Sequence, residues 1–440
     1  MGYFHSVHLE QEKCKGCTNC IKHCPTEAIR VRKGKAQIIE ERCIDCGECI
    51  RICPNHAKIA LGDELEKIRE FPHRMALPAP SFYSQFAAPG GIAQILGALV
   101  GVGFDAVFEV ALAAEVVSWA TRRYLESYQG PRPLISAACP TVVSLIQVRF
   151  PALVGQVAPV EPPVNVAARL ARAEAVQVTG LPAEKIGVFF LSPCPAKITA
   201  LRRAKAAGEN LVDGVIPVLS LYGECREALR RARKIIPRAG PGGVWWGRSG
   251  GESAALGRGK FLEVDGIQNV IKVLEAVERE ELKDFDYLEA QACPGGCVGG
   301  ALMIKNPFGA RQNLMFLTRD PAGKSLTEEE LAGLAQKGAW RSARELKPRP
   351  VLQLSEDISS ALVKMQQLEN TARLLPGLDC GACGSPNCRA LAEDIVRGRA
   401  LDTDCIFLLR ERVRVLAEEV VALARKLPPS MAGPERSNWD

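Results

Sequence analysis

The chain has 440 residues, 47% of them apolar, which suits a globular protein of about three domains with a sizeable core. Its 56 Lys and Arg against 50 Asp and Glu leave a net charge of +6. That is too dilute to argue for nucleic acid, and no arginine-aromatic stripe is present. Of the 17 cysteines, 16 fall in clustered motifs, most of them tightly spaced, which reads as metal thiolates in a reducing cytosol rather than disulfides. A cytoplasmic location without secretory signal is expected. No membrane span is expected either, because the longest apolar run, 87–120, is interrupted by Gln94, Asp105, Glu109 and Glu115.

Residues 1–60 hold an internal repeat, Cys14-x2-Cys17-x2-Cys20-x3-Cys24-Pro25 followed by Cys43-x2-Cys46-x2-Cys49-x3-Cys53-Pro54. This is the spacing of a bacterial two-cluster ferredoxin, in which the fourth thiolate of each run crosses to the other cluster. The expected ligand groups are Cys14, Cys17, Cys20 and Cys53, then Cys43, Cys46, Cys49 and Cys24. Zinc is the alternative for any single C-x2-C pair, and the doubled order argues against it.

Residues 61–75 read as a charged linker with a helix from Asp63 to Arg74, broken at Pro72. From there short apolar runs alternate with helical patterns. Leu134-Ile135 leads into Ser136-Ala137-Ala138-Cys139-Pro140, and Ile186 to Leu191 leads into Ser192-Pro193-Cys194-Pro195-Ala196-Lys197. Apolar runs of this kind that stop at a Pro or Cys loop predict buried strands, and α/β folds place their sites in such loops. A third loop, Ala292-Cys293-Pro294-Gly295-Gly296-Cys297-Val298-Gly299-Gly300, packs two thiols among four glycines. Cys225 lies in a helical context and reads as a buried structural thiol.

Residues 321–350 predict a polar surface helix with a capping box at Ser325 and Glu328. Beyond Pro348 and Pro350 a helix carries Ile358, Leu362, Met365 and Ala372 on one face. The group Cys380-x2-Cys383-x4-Cys388, with Cys405 beyond a helix from Ala390 to Arg399, predicts a third accessory [4Fe-4S] cluster, with a zinc knuckle as the alternative. The last helix carries Leu409, Val413, Leu416, Val420, Leu423 and Leu427 at alternating spacings of four and three. Such a seam fits a coiled-coil homodimer and packing on its own domain equally well. Pro428 ends it, and the tail to Asp440 is expected to be disordered.

Three loops in this order resemble the signature motifs of the [FeFe] hydrogenases, over about residues 76–310 with the ferredoxin module before them. The C-terminal cluster domain resembles that of the sensory members. The resemblance implies an α/β hydrogenase catalytic domain with short buried strands and flanking helices (76–347). An α+β two-cluster ferredoxin module (1–60) and linker (61–75) precede it. A small helical C-terminal cluster domain (348–427) and tail (428–440) follow. It implies that Cys139, Cys194, Cys293 and Cys297 hold a further cubane. Cys297 is then shared with a di-iron subsite carrying carbon monoxide, cyanide and an azadithiolate. Together these form the H-cluster, whose di-iron part is absent until maturation proteins insert it. Lys197 would donate to one cyanide, and Ala79-Pro80-Ser81 with Pro193 would complete the cradle.

The departures from the family matter as much. Ala138 stands where the family has its proton-shuttling cysteine. Ser192 and Gln291 replace methionines beside the cluster and are expected to tune it. The family's acidic relay positions fall at Ala120 and Thr121. A slow enzyme with a substitute proton route is expected, with Glu252 and Glu289 as relay carboxylates and a surface position as the bland reading of Glu252. The implied reaction interconverts hydrogen gas with protons and electrons, in a sensory role. A ferredoxin-like or signalling redox partner would exchange the electrons. A ferredoxin-linked hydrogenase of bulk metabolism, and a Narf-like assembly or carrier protein without the di-iron unit, are the alternatives.

Overall fold

The computed structural model describes residues 4–319, 323 and 326–426. They form two compact units, one within residues 4–14, 23–28 and 38–352, the other within residues 15–22, 29–37 and 353–426.

Two parallel sheets organise the first unit. One has four strands in the order Ala106–Val107, His73–Pro78, Ile186–Ser192, Gly214–Pro217. The other has three, Phe261–Asp265, Tyr287–Gln291 and Leu134–Ile135. Every residue of Ile186–Ser192 and of Tyr287–Gln291 is buried, as parallel strands covered on both faces require. That is why Ile186–Leu191 reads as a continuous apolar stretch in the sequence, whereas Tyr287–Gln291 buries the polar Glu289 and Gln291 as well. Helices Val110–Ser127 and Pro163–Thr179 contribute to one core with the larger sheet, and helices Pro140–Arg149 and Ile267–Glu278 to a second core with the smaller one. Cys225 is buried on helix Val218–Ala228, as expected.

The expected linker helix is corrected. Residues 65–70 form a 3-10 helix, Leu65–Glu70, and the chain re-enters as a strand at His73. Pro72 ends the helical turn, and the apolar run Met75–Leu77 is paired along Ile186–Ser192. Among the described residues of 321–350, only Glu328–Gly338 is helical, and its capping box is Thr327 with Glu330. Ser325 lies outside the described residues.

The second unit holds a hairpin, Ile29–Arg32 with Lys35–Ile38, and helices Ile358–Leu374, Cys388–Val396 and Ile406–Ala424. The helix expected at Ala390 thus starts two residues earlier, because Asn387 caps it by accepting from Ala390 N at 2.7 Å. Ile358, Leu362 and Met365 are exposed, and Leu368 is the buried residue of their helix. The seam of the last helix is exposed throughout: Leu409, Val413, Leu416, Val420 and Leu423 all face outward. Among the described residues, it is not covered by its own domain. Leu427 and the tail lie outside them.

Candidate cluster-binding site

Four loops converge at the carboxyl ends of the strands. Ala79-Pro80-Ser81 follows His73–Pro78, Cys139 follows Leu134–Ile135, Cys194 follows Ile186–Ser192, and Cys293 follows Tyr287–Gln291. Cys139 and Cys194 each cap a helix that opens on proline, Pro140–Arg149 and Pro195–Ala206. Proline suits a first helical position, whose N–H would be unpaired anyway. A helix N-terminus also favours a thiolate. The third loop closes in through its glycines. Gly296 has φ 92°, and a side chain there would strike Ser249 N and Gln291. Gly247 lets the Ser81 loop approach, since a Cβ would sit 2.8 Å from Ser81 N.

Lys197 lies at the centre. Its ammonium is 3.9 Å from Cys297 Sγ and donates to the Ala138 carbonyl at 3.5 Å. Burial works against its charge, but Cys297, Cys194, Cys139 and Cys293 outweigh it and hold the lysine protonated. The four expected cysteines therefore share one electrostatic neighbourhood. Burial pushes the Cys194 thiol up to about 12 and the Cys293 thiol to about 11, against the pull of Lys197 and Arg51 respectively. Buried neutral thiols must lose protons to bind iron.

Ala79, Pro80, Ser81, Ala138, Pro193, Lys197, Gln291 and Cys297 line one pocket with Trp246 and Gly247. Two buried atoms of these residues, Ser81 Oγ and Gln291 Oε1, have no hydrogen-bond partner among the described residues. Buried polar groups are rarely left so. A polar hydroxyl, a charged donor and a cysteine facing one small space fit a di-iron unit with anionic ligands. The Ser192 hydroxyl donates to Cys194 O at 2.9 Å, within the loop that presents that cysteine.

Behind Ala138 lies an acidic network. Ala138 N donates to Ser136 Oγ at 3.2 Å, and Ser136 Oγ lies 2.9 Å from both oxygens of Glu252. Tyr287 OH donates to Glu252 Oε1 at 2.6 Å. The bland reading of Glu252 is corrected, because it is 2% exposed and Glu289 is 0% exposed. The turn Arg248 to Gly251 folds into the core and carries Glu252 with it. Glu289 accepts from Gly250 N, Ser253 N and Gln291 Nε2 at 2.9, 2.8 and 3.0 Å. Burial, then mutual repulsion, raises the Glu252 carboxyl above the ordinary range, against Tyr287 and Ser136. Burial also raises that of Glu289. Opposite Glu289 in strand register stands the exposed Glu263. Ser136, Tyr287 and Glu263 were not singled out from the sequence for this role.

The other cysteines group as follows. Cys43 and Cys46 each feel Cys24 and Cys49 electrostatically, so one of the two crossed ferredoxin sets is brought together. The repeat shows in its hydrogen bonds: Ala28 N donates to Cys24 Sγ at 3.2 Å, and Ala57 N to Cys53 Sγ at 3.3 Å. Cys14 and Cys20 are buried and Cys17 is exposed. In the second unit Cys383, Cys388 and Cys405 share a small core, with Cys380 close enough to Cys383 to repel it electrostatically.

Known proteins resemble the chain over the segments that carry this geometry. Residues 73–223 and 251–301 match the iron only hydrogenase large subunit, C-terminal domain, residues 6–54 a 4Fe-4S dicluster domain, and residues 375–407 a putative Fe-S cluster family. The chain is an [FeFe] hydrogenase-like protein. The NADP-reducing hydrogenase subunit HndD of Solidesulfovibrio fructosivorans is 22% identical over 67% of this hydrogenase-like chain and 56% of its own length. The chain thus spans little more than half of that relative. The periplasmic [Fe] hydrogenase large subunit of Nitratidesulfovibrio vulgaris is 24% identical over 67% of this chain and 86% of its own. An apo [FeFe]-hydrogenase HydA1 variant from Chlamydomonas reinhardtii aligns at 15% identity with a TM-score of 0.48, over 63% of this chain and 95% of that one. No helix of the described residues is long and apolar enough to cross a membrane.

Proposed function

We propose that this chain interconverts hydrogen gas with protons and electrons, slowly and in a sensory role. Cys139, Cys194, Cys293 and Cys297 hold a cubane in this reading, and Lys197, Ser81, Ala79, Pro80 and Pro193 cradle the di-iron unit. When bound, that unit supplies an open metal position at which hydrogen is made or split. The chain's own residues then do three things. Lys197 offers a fixed charged donor to an anionic ligand. Trp246 and the apolar loops keep bulk water out of the pocket. Ser136, Glu252 and Glu289 carry protons between the pocket side of Ala138 and the surface at Glu263, replacing the thiol that Ala138 lacks.

Electrons pass through three accessory [4Fe-4S] clusters, two in the ferredoxin run and one at Cys380, Cys383, Cys388 and Cys405. They reach a ferredoxin-like or signalling partner in the cytoplasm. Maturation proteins insert the di-iron unit, and the exposed C-terminal helix joins two copies of the chain. The observation that carries the reading is the orphaned Ser81 hydroxyl and the Lys197 ammonium lining one pocket with Cys297.

Infrared spectroscopy after loading with a synthetic di-iron cofactor tests it. Carbonyl and cyanide bands that respond to hydrogen are expected. Their absence from a chain that binds cubanes would instead support a Narf-like assembly or carrier role. High turnover with no transcriptional phenotype on deletion would favour bulk metabolism.

A further inference from the structure

Arg51 stands between Cys49 and Cys53 at the end of the short helix Glu48–Arg51, inside the ferredoxin run. Its guanidinium leaves that module. Nη1 donates to Glu48 Oε2 at 2.7 Å. Nη2 donates to Cys293 Sγ at 3.0 Å and to Gly299 O at 2.8 Å. One side chain thus joins the loop of the second accessory cluster to both ends of the glycine-rich loop that presents Cys293 and Cys297. Burial opposes its charge, and the nearby Cys293 and Glu48 more than offset that. Arginine remains charged in proteins and holds two acceptors in a rigid fork. None of the roles proposed above uses it.

An N–H···S bond and a positive charge both withdraw electron density from a ligand sulfur. They favour the more negative, reduced state of the cluster that the sulfur holds. We propose that Arg51 is a positioning residue that raises the reduction potential of the cubane held by Cys139, Cys194, Cys293 and Cys297 and docks the second ferredoxin cluster against it. This rests on the reading that those four cysteines hold a cubane. The step it serves moves one electron: the accessory cubane is oxidised by one, the central cubane is reduced by one, and no bond or proton changes. The fork also keeps the transfer distance constant, because Glu48, Cys293 and Gly299 fix its orientation from both modules.

The test uses the full chain reconstituted with iron and sulfide, without the di-iron unit. Paramagnetic resonance is followed through a dithionite-poised redox titration. The signal lost on Cys194→Ala identifies the central cubane. If Cys194→Ala loses no signal, the underlying reading fails, independently of Arg51. With the signal assigned, Arg51→Met should lower the reduced-to-oxidised ratio at the wild-type midpoint at least tenfold, a shift of about 59 mV for a one-electron couple. Arg51→Lys, which keeps charge but loses the fork, should fall between. A midpoint unchanged in Arg51→Met overturns the proposal. So does failure of both variants to hold the cubane, which would leave Arg51 a folding role only.

Discussion

Ala138 lines the pocket with a methyl group, and the nearest exchangeable proton behind its backbone is the hydroxyl of Ser136, bonded to Glu252. Glu252→Gln and Glu289→Gln should each cut hydrogen evolution by about 100-fold or more, the scale of lost acid-base relay. The measurement is turnover of loaded protein across a pH series, and full activity in both variants would reject the route. Ala138→Cys should raise turnover, while an unchanged rate would put the slow step elsewhere. Stability carries a separate signature. A carboxyl raised above its unfolded value of about 4.3 stabilises fully below that value and loses its contribution as pH climbs through the folded value. Melting temperature of the cubane-loaded wild type should therefore fall on going from acid to mildly alkaline pH, and Glu252→Gln should flatten that fall. At this scale the cysteines were legible because their spacing and motifs are local in sequence. The partnership of Arg51 with Cys293 spans 242 positions, and Tyr287 reaches Glu252 only through the strand-to-helix packing of the smaller sheet. Neither leaves a trace in local pattern.

Among the elements, the cysteine loop of the second unit is held by a contact no periodicity announces. The hairpin Ile29–Arg32 with Lys35–Ile38 lays two arginines on Asp394, Arg30 Nε at 2.5 Å and Arg32 Nη2 at 3.0 Å. Arg32 also donates to Cys383 O, and Val31 N to Gly384 O at 2.8 Å. Arg30 and Asp394 are almost fully buried, so removing the carboxylate takes away a buried negative charge that faces both arginines. Asp394→Ala should cost about 3–5 kcal/mol, the usual penalty for breaking a buried pair from one side. Iron content per chain and the unfolding midpoint of the second unit read this out, and a change under about 1 kcal/mol would mean that water reaches the arginines. Two strands of the parallel sheets were legible, because Leu134–Ile135 and Ile186–Ser192 are short apolar runs ending at Pro or Cys loops. The linker was not. Its charged residues fit a helix equally well, and only tertiary pairing of His73–Pro78 with Ile186–Ser192 decides for a strand.

For the whole molecule, helix Ile406–Ala424 exposes a seam whose heptad phase places Val413 and Val420 at one core position and Leu409, Leu416 and Leu423 at the other. β-Branched residues at the first and leucine at the second favour a parallel two-stranded coiled coil. Arg414 is engaged by Glu411 and Glu418 on the opposite face, at 2.5 and 2.7 Å, so these charges support the helix without crossing the seam. In a parallel pair Arg412 and Glu419 flank the seam opposite Ala417 and Ala424, which neither attracts nor repels. Apolar burial must then supply the affinity, and with fewer than three heptads of described seam it is modest. The chain should dimerise in a concentration-dependent way, with sedimentation showing monomer on dilution. Leu416→Arg puts two like charges in the middle of the seam and should abolish the dimer. Because the helix packs little on its own unit, the same change should leave the unfolding midpoint and iron content near wild type. A Leu416→Arg chain that remains dimeric would move the interface elsewhere, and one that loses its third cluster would mean that the helix supports Cys405 instead of joining two copies.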